Sequence, residues 1–310
     1  MKQSWRVPTG LVVLLLLNTL GCGGPSGTSL SSEELQKKYP DEKYVQLNGV
    51  SLHYEQEGLG RPVVLLHGFL THSALWRNIV PTFTYGYTLY SLDLMGSGLS
   101  EKPQNQTYSI DTHVAQVGKL IDEFHLDNAI LVGHGVGAAI AMVYTVRNPS
   151  KVRKLVVMNA PLSPGYSATG LWLLKFPLVG GMLTNDWFIK RTLRGGVVKP
   201  ESMPDSLIDT YLQPYRDDPG ARVALLKQVK ELNLDPVLEK EVVPNLTKLQ
   251  VPTLIVWGAN DPYVPLDLGK KLDTDIPNDE FPVILNTGHY ELEERPEEVR
   301  AVIKEFLDAN

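Results

Sequence analysis

The chain has 310 residues, of which 43% are hydrophobic and 21% are charged; this ordinary usage excludes disordered, collagen-like and coiled-coil classes. The formal net charge of −6 argues against a nucleic-acid partner, because binding to the phosphate backbone depends on clustered Lys and Arg. Cys22 is the only cysteine, so the chain can form neither an intramolecular disulfide nor a cysteine-rich metal site.

The N-terminal segment has the parts of an export signal. Lys2 and Arg6 precede an apolar run over Leu11–Leu17, which is shorter than the about 20 residues that a membrane-spanning helix needs. The segment that ends at Cys22 resembles the bacterial lipoprotein signal, in which the cysteine becomes the lipidated N-terminus. The resemblance implies that residues 1–21 are a signal peptide. It also implies that Cys22 anchors the exported protein to a bacterial membrane, on the periplasmic or cell-surface side. An ordinary cleaved signal with a chance cysteine is the alternative interpretation.

The stretch that follows Cys22 is rich in Gly and Ser, a composition typical of flexible linkers. We therefore expect residues 22–40 to form a flexible tether and the folded body to begin near Asp41. A lipid anchor on such a tether would hold an otherwise soluble domain at a membrane surface.

Eight short apolar runs bounded by turn residues follow Asp41 and alternate with helical patterns. Several runs are continuously apolar, as are strands buried on both faces of a parallel sheet. Asn48-Gly49 between the first two runs is a hairpin signal, which makes the start of the sheet antiparallel. The predicted strands are Tyr44–Leu47, Leu52–Gln56, Pro62–Leu66, Thr88–Leu92, Ala129–Val132, Lys154–Met158, Thr253–Trp257 and Pro282–Leu285. The clearest predicted helices are Ile110–His125, Gly137–Asn148 and Pro296–Leu307. This alternation predicts an α/β fold with a mostly parallel eight-stranded sheet covered by helices.

The strand pattern stops after residue 160 and resumes near residue 249. Residues 161–248 contain several aromatic residues, Pro and Gly, with short helical patterns and no predicted strand. We expect this stretch to be a helical cap that divides the core into residues 41–160 and 249–310. A mainly apolar pocket for a small molecule is expected beneath it.

The central motif is Gly133-His134-Gly135-Val136-Gly137, which lies between a predicted strand and a predicted helix. It resembles the nucleophile elbow of the α/β-hydrolase fold, G-x-S-x-G. Gly135 stands where that family has its nucleophilic side chain, and glycine has none. His134, beside it, is interpreted as a packing residue.

Other motifs complete the resemblance to α/β-hydrolases across most of the chain after Asp41. The resemblance implies that the N–H groups of Phe69, in Leu65-Leu66-His67-Gly68-Phe69, and of Val136 form an oxyanion hole. It also implies that Asp261 is the catalytic acid and His289 the base, since both follow predicted strands in the family's order.

The flanking motifs are most similar to those of haloalkane dehalogenases and their epoxide-hydrolase relatives. They are Leu75–Pro81, the turn Asp93–Ser100, and Glu101-Lys102-Pro103. That branch uses an aspartate nucleophile, which Gly135 removes. Dehalogenases also have a halide-binding Trp after the nucleophile and commonly Asn in the oxyanion loop, whereas this chain has Val136 and Phe69 there.

The missing nucleophile leaves three interpretations. His289, oriented by Asp261, activates a water molecule that attacks a small ester, lactone, epoxide or halide. Alternatively, the protein is an inactive relative that binds a small ligand or a protein partner under the cap. The third interpretation is that a hydroxyl of Thr71, Ser73 or Ser97 replaces the nucleophile. No motif requires a cofactor or a metal.

Overall fold

The computed structural model describes residues 27–166 and 184–309. The expected signal peptide, Cys22 and part of the expected cap lie outside these residues. The strands are β1 (Lys43–Leu47), β2 (Val50–Leu66), β3 (Tyr85–Leu92), β4 (Ala129–His134), β5 (Val152–Met158), β6 (Thr253–Gly258), β7 (Asp279–Glu280) and β8 (Val283–Ile284). The helices are α1 (Ser32–Lys38), α2 (Val80–Phe83), α3 (Ile110–Glu123), α4 (Val136–Arg147), α5 (Asp186–Gly195), α6 (Asp205–Asp217), α7 (Ala221–Glu231), α8 (Asp235–Val237), α9 (Leu266–Asp275), α10 (Glu291–Glu294) and α11 (Pro296–Asp308). Short 3₁₀ or π segments cover Ser73–Trp76, Pro149–Lys151, Pro200–Ser202, Leu238–Val242 and Val243–Lys248.

The eight strands form one sheet in the order β1-β2-β4-β5-β6-β7, with β3 paired to β2 and β8 paired to β6. β1 and β2 are antiparallel and turn at Asn48-Gly49, where both residues have positive φ (53° and 77°). The pairs β4–β5 and β5–β6 at the centre of the sheet are parallel. The α/β fold and the mostly parallel eight-stranded sheet predicted from the sequence are confirmed.

β2 differs from its prediction, because the predicted strands Leu52–Gln56 and Pro62–Leu66 belong to one long strand. Both halves of this strand pair with β3. Residues 54–58 of β2 meet β3 in descending order, and residues 60–66 meet it in ascending order. Gly60 lies near this reversal with φ 141°, and a Cβ atom there would lie 2.1 Å from the Gly86 carbonyl oxygen. Only glycine fits such a position. The turn residues that separated the two predicted strands therefore mark a change of direction within β2.

Alternate side chains of the central strands enter two separate hydrophobic layers. Val64 and Leu66 of β2 belong to the layer that α3 and α4 cover. Val63 and Leu65 belong to the opposite layer, which α11 covers. Because both faces are buried, these strands are mostly apolar, and this is the pattern that made them recognisable in the sequence.

The residues between β5 and β6 that the structure describes are helical, and they have their own apolar cluster. Ile189 and Leu193 of α5 pack there with Tyr211 of α6. Leu70, which follows the predicted oxyanion loop, and Tyr290, which follows His289, belong to the same cluster. The cap helices are therefore packed directly against both loops that carry the predicted site.

Residues 27–39, here called the N-terminal strap, are bound to the cap, which corrects the expectation of a flexible tether up to residue 40. Ser31 and Glu34 form a capping box that begins α1, and Leu35 is buried. The Leu30 N–H donates to the Asp218 carboxylate (3.3 Å), and the Tyr39 hydroxyl donates to Asp217 (2.8 Å). The Gly and Ser composition concealed this helix, whose signal is the Ser-x-x-Glu pair before Leu35.

Candidate active site

Asp261 is held by the turn that follows β6. Its Oδ1 atom accepts hydrogen bonds from the backbone N–H groups of Tyr263 (2.7 Å) and Val264 (2.9 Å). Its Oδ2 atom lies 2.7 Å from Nδ1 of His289. Both side chains are largely buried, so the structure brings the predicted acid and base together in a setting with little solvent. The carboxylate favours the imidazole tautomer with the proton on Nδ1, which leaves the Nε2 lone pair free.

The backbone of His289 is fixed by groups from three other elements. Its N–H donates to the Gly196 carbonyl after α5 (2.6 Å). Its carbonyl accepts from Asn159 Nδ2 after β5 (2.9 Å) and from His134 Nε2 at the end of β4 (2.7 Å). Burial and the neighbouring His289 lower the pKa of His134 to about 3, so His134 is neutral at physiological pH. It donates to the His289 carbonyl and so helps to hold the loop that carries the predicted base.

Gly135 retains the backbone geometry of an elbow although it has no side chain. It has φ 54° and ψ −120° between β4 and α4. A Cβ atom there would lie 3.5 Å from His289 Nε2 and 3.5 Å from Gly68 Cα, both ordinary van der Waals distances. At Gly137, in contrast, a Cβ atom would lie 2.2 Å from the Leu66 carbonyl oxygen. The turn has space for a nucleophile at position 135 and at that position faces the base.

The two predicted oxyanion donors, Phe69 and Val136, directly follow the two glycines that border this space, Gly68 and Gly135. The place of the missing side chain is bordered by the backbone of Gly68, and Phe69 is the next residue in the chain. Val136 is the first residue of α4, where backbone N–H groups have no partner within the helix and the helix dipole is positive. His67 shapes the loop, since its Nδ1 donates to the Gly68 carbonyl (2.8 Å) and its Nε2 accepts from the Leu94 N–H (3.0 Å).

The three hydroxyls considered as replacement nucleophiles have partners elsewhere. Thr71 donates to the Gly68 carbonyl (3.0 Å), and Ser73 donates to a Glu55 carboxylate oxygen (2.8 Å). Ser97 accepts from the Gln228 amide (3.4 Å). No hydroxyl in the described part of the chain is hydrogen-bonded to the His289 ring.

Glu293 and Glu294, which sequence reasoning did not select, connect the His289 segment to the cap. Glu293 is nearly buried and accepts two hydrogen bonds from Arg77 (2.7 and 2.6 Å) and one from the Tyr211 hydroxyl of α6 (2.6 Å). Glu294 accepts from the Gly288 N–H (2.6 Å). It also accepts from the N–H groups of residues 198 and 199, both at 2.9 Å. The sequence shows these acids only as the charged run 291–294, which resembles a solvated surface.

Glu291, in the same segment, is fully buried. One of its carboxyl oxygens is hydrogen-bonded to Asn159, and the other has no partner in the described residues. Burial raises the pKa of Glu291 well above its usual range. The carboxylate that is hydrogen-bonded to the His289 ring is that of Asp261.

The Asp93 turn is a structural element at the other side of the oxyanion loop. The buried Asp93 carboxylate accepts from His53 Nδ1 (2.8 Å), the Ser73 N–H (2.6 Å) and the Leu99 N–H (2.8 Å). Burial disfavours the charged form of His53, but Asp93 and Glu42 outweigh this and raise its pKa to about 9. The turn is thus tied to β2 by a buried ion pair.

Residues 27–166 and 184–309 hold neither a candidate metal site nor a candidate membrane span. They contain no group of three or more His, Cys, Asp or Glu side chains placed to hold a metal ion. None of their helices has the length and apolar character needed to cross a membrane.

The model of the α/β-hydrolase fold family matches residues 61–296, and the chain belongs to this family. It is 29% identical over 283 residues to the cis-3-alkyl-4-alkyloxetan-2-one decarboxylase of Shewanella oneidensis, covering 85% of this chain and 87% of the relative. It is 28% identical over 264 residues to haloalkane dehalogenase 2 of Mycobacterium tuberculosis, covering 82% and 90%.

Among solved structures, the chain is similar to a variant of an epoxide hydrolase from Bacillus megaterium. The TM-score is 0.75 at 27% identity, and the match covers 86% of this chain and 100% of that one. The similar proteins thus include the dehalogenase and epoxide-hydrolase branch that the flanking motifs indicated. They support a hydrolase that acts on a small molecule.

Proposed function

We propose that this protein hydrolyses a small apolar substrate with the Asp261–His289 pair and a water molecule, without a covalent intermediate. The observation that carries the proposal is the position of His289. Its Nδ1 is bound to Asp261 at 2.7 Å, while its Nε2 lies 3.5 Å from the place of the absent side chain at Gly135. A water molecule in this space is within reach of a base.

The reaction needs one proton transfer during the attack and one after it. His289 Nε2 removes a proton from the water as the water oxygen bonds to the substrate's electrophilic carbon. Asp261 stabilises the imidazolium that results, and general-base catalysis of this kind contributes about 10²–10⁴-fold. The N–H groups of Phe69 and Val136 stabilise the negative oxygen, at about 10²–10³-fold for one such donor. The imidazolium then returns its proton to the leaving group.

The expected substrates are esters, lactones, epoxides or halides. Of these, the N–H donors of Phe69 and Val136 favour esters and lactones. Hydrolysis of an ester or lactone places negative charge on a carbonyl oxygen, which an oxyanion hole stabilises. Displacement of a halide by the family's route needs the aspartate that Gly135 replaces. The apolar cap cluster beside Leu70 and Tyr290 favours an apolar substrate.

A panel of small esters, lactones, epoxides and haloalkanes tests the proposal with wild-type protein and His289→Ala. Turnover that is lost in His289→Ala supports a water-using hydrolase and gives the substrate class. His125→Asn is a matched control, because His125 is exposed and has a positive φ (52°) that Asn tolerates. Equal turnover in wild type and His289→Ala contradicts the proposal.

The second candidate function is binding without catalysis, and the backbone at Gly135 favours it. A side chain at φ 54° costs about 1–3 kcal/mol, so a protein that no longer needs a nucleophile gains stability from glycine. Such a protein would bind a small apolar ligand or a protein partner under the cap. Ligand affinity that is unchanged in His289→Ala, together with no turnover on the panel, would establish this function.

We also propose that Cys22 is lipidated and that the protein is exported to a bacterial membrane surface. The support is the lipoprotein-like signal that ends at Cys22. Cells given a labelled fatty acid should label the wild-type protein and not Cys22→Ser. Equal labelling of both proteins, or labelling of neither, would contradict the anchor.

A further inference from the structure

The acceptor nitrogen of His289 faces a space that no catalytic side chain fills. The three atoms nearest to a Cβ placed on Gly135 are Gly68 Cα and His289 Nε2, both at 3.5 Å, and His289 Cε1 at 3.8 Å. In a hydrolase with an elbow serine, the serine oxygen separates the substrate from the base. Here a substrate atom can approach Nε2 directly.

The hydroxyl groups near this space are engaged elsewhere, so among the described residues the chemistry available there is proton transfer by His289. The hydroxyls of Thr71 and Ser73 donate to other acceptors. Tyr263 packs edge-on against the His289 ring, with ring centroids 5.5 Å apart, but its hydroxyl donates to the Thr192 carbonyl (2.5 Å). Within the described residues, His289 is therefore the reactive group that meets a substrate at Gly135, and it is a base.

The predicted oxyanion donors are the N–H groups of Phe69 and Val136, the residues that follow Gly68 and Gly135 in the chain. A base and an oxyanion hole around one carbonyl group can stabilise an enolate as well as a tetrahedral intermediate, because both place negative charge on the carbonyl oxygen. A carbon atom at the place of the absent side chain would lie 3.5 Å from Nε2, which is within the distance of reacting atoms, about 3–3.5 Å.

We propose that this site catalyses reversible removal of a proton from the carbon next to the carbonyl group of a small apolar ketone or ester. The Nε2 lone pair of His289 takes the proton. The electrons of the C–H bond form a carbon–carbon double bond, and a carbonyl electron pair moves to the oxygen held by the Phe69 and Val136 N–H groups. Return of a proton from the imidazolium restores the carbonyl compound. The net result is exchange of that hydrogen with solvent and loss of configuration at that carbon, with no other reactant consumed.

This activity rests on the same base and oxyanion donors as the proposed hydrolysis, but it does not need an attacking water or a leaving group. A ketone therefore separates the two reactions, because a ketone has no bond to hydrolyse. The probe is 1-phenylpropan-2-one in deuterated buffer, with loss of its benzylic proton signal followed by ¹H NMR.

The wild-type protein should exchange this proton faster than buffer does, and His289→Ala should lower the enzymatic rate by about 10²-fold or more. Gly135→Ser should lower it at least about tenfold, because the new side chain fills the space beside Nε2. His125→Asn should exchange at the wild-type rate. Thermal unfolding of each variant identifies any that fails to fold, and His289→Gln, of similar size, replaces His289→Ala in that case.

Exchange no faster than in buffer, or equal exchange in wild type and both His289 variants, overturns this inference. Ester hydrolysis without ketone exchange overturns it as well and leaves the proposed hydrolysis standing. Ketone exchange without hydrolysis supports it and removes hydrolysis as the function of the site. Neither reaction on any probe overturns both.

Discussion

Replacing Gly135 with serine should restore a covalent nucleophile, and the structure gives the expected cost. The added Cβ would lie 3.5 Å from both His289 Nε2 and Gly68 Cα, so it meets no steric obstacle. From there the hydroxyl comes within hydrogen-bond reach of Nε2, about 2.6–3.2 Å. The positive φ of 54° is the remaining penalty and should lower the free energy of unfolding by about 1–3 kcal/mol.

Two assays measure this prediction. Urea unfolding of wild type and Gly135→Ser gives the stability difference. A p-nitrophenyl ester reports the chemistry, because an acylated serine releases close to one p-nitrophenolate per protein in a rapid first phase and adds the mass of the acyl group. The double variant Gly135→Ser with His289→Ala should lose that phase.

Gly137→Ser is the matched control within the same turn. A Cβ there would lie 2.2 Å from the Leu66 carbonyl oxygen, a backbone atom that cannot move aside easily, so this variant should be far less stable than Gly135→Ser. A folded Gly135→Ser protein that shows neither the rapid phase nor the acyl mass would refute the elbow assignment. Equal stability of the two variants would refute the packing argument.

Three further predictions concern stability. Glu293→Ala should lower the free energy of unfolding by about 2–4 kcal/mol, because it leaves a buried tyrosine hydroxyl without an acceptor and breaks an arginine pair. Urea unfolding measures this loss. The control is Glu297→Ala, at an exposed position, which should change the free energy of unfolding by less than about 0.5 kcal/mol. The pKa of His53 is raised to about 9. The stability that the charged His53 adds to the fold is therefore fully present below pH 6.5 and is lost as the pH rises through 9. Wild type should lose up to about 3 kcal/mol over that window, and a His53→Gln protein with the same pH dependence would contradict this. Leu35→Ala should cost about 2–4 kcal/mol if the strap is part of the fold, whereas an unchanged urea midpoint would show that it is not.

The sheet could be predicted because its strands are buried on both faces. β4 and β6 are buried along their whole length and consist mostly of apolar residues, so they stand out from the polar segments around them. Asp261 and His289 could be paired because each follows a strand of the same sheet, and strand ends on one edge lie close together. The structure places them 2.7 Å apart.

The supporting residues could not be predicted, because their role depends on contacts distant in sequence. Glu293 belongs to a run of acids that is typical of a solvated helix, yet it meets Arg77, 216 positions away in the chain. The strap was concealed by its Gly and Ser composition, since the partners of Leu30 and Tyr39 lie near residue 218. β2 was divided at glycines that mark a reversal around β3 rather than an end.

The central claim is that His289 acts as a base on water or substrate at the place of the missing nucleophile. Its most direct test is the ratio of kcat/KM between wild type and His289→Ala on the best substrate of the ester and lactone panel, with His125→Asn measured alongside. We expect a ratio of about 10²–10⁴ and no change for His125→Asn. A ratio near one would contradict the claim and would leave a ligand-binding member of the α/β-hydrolase family.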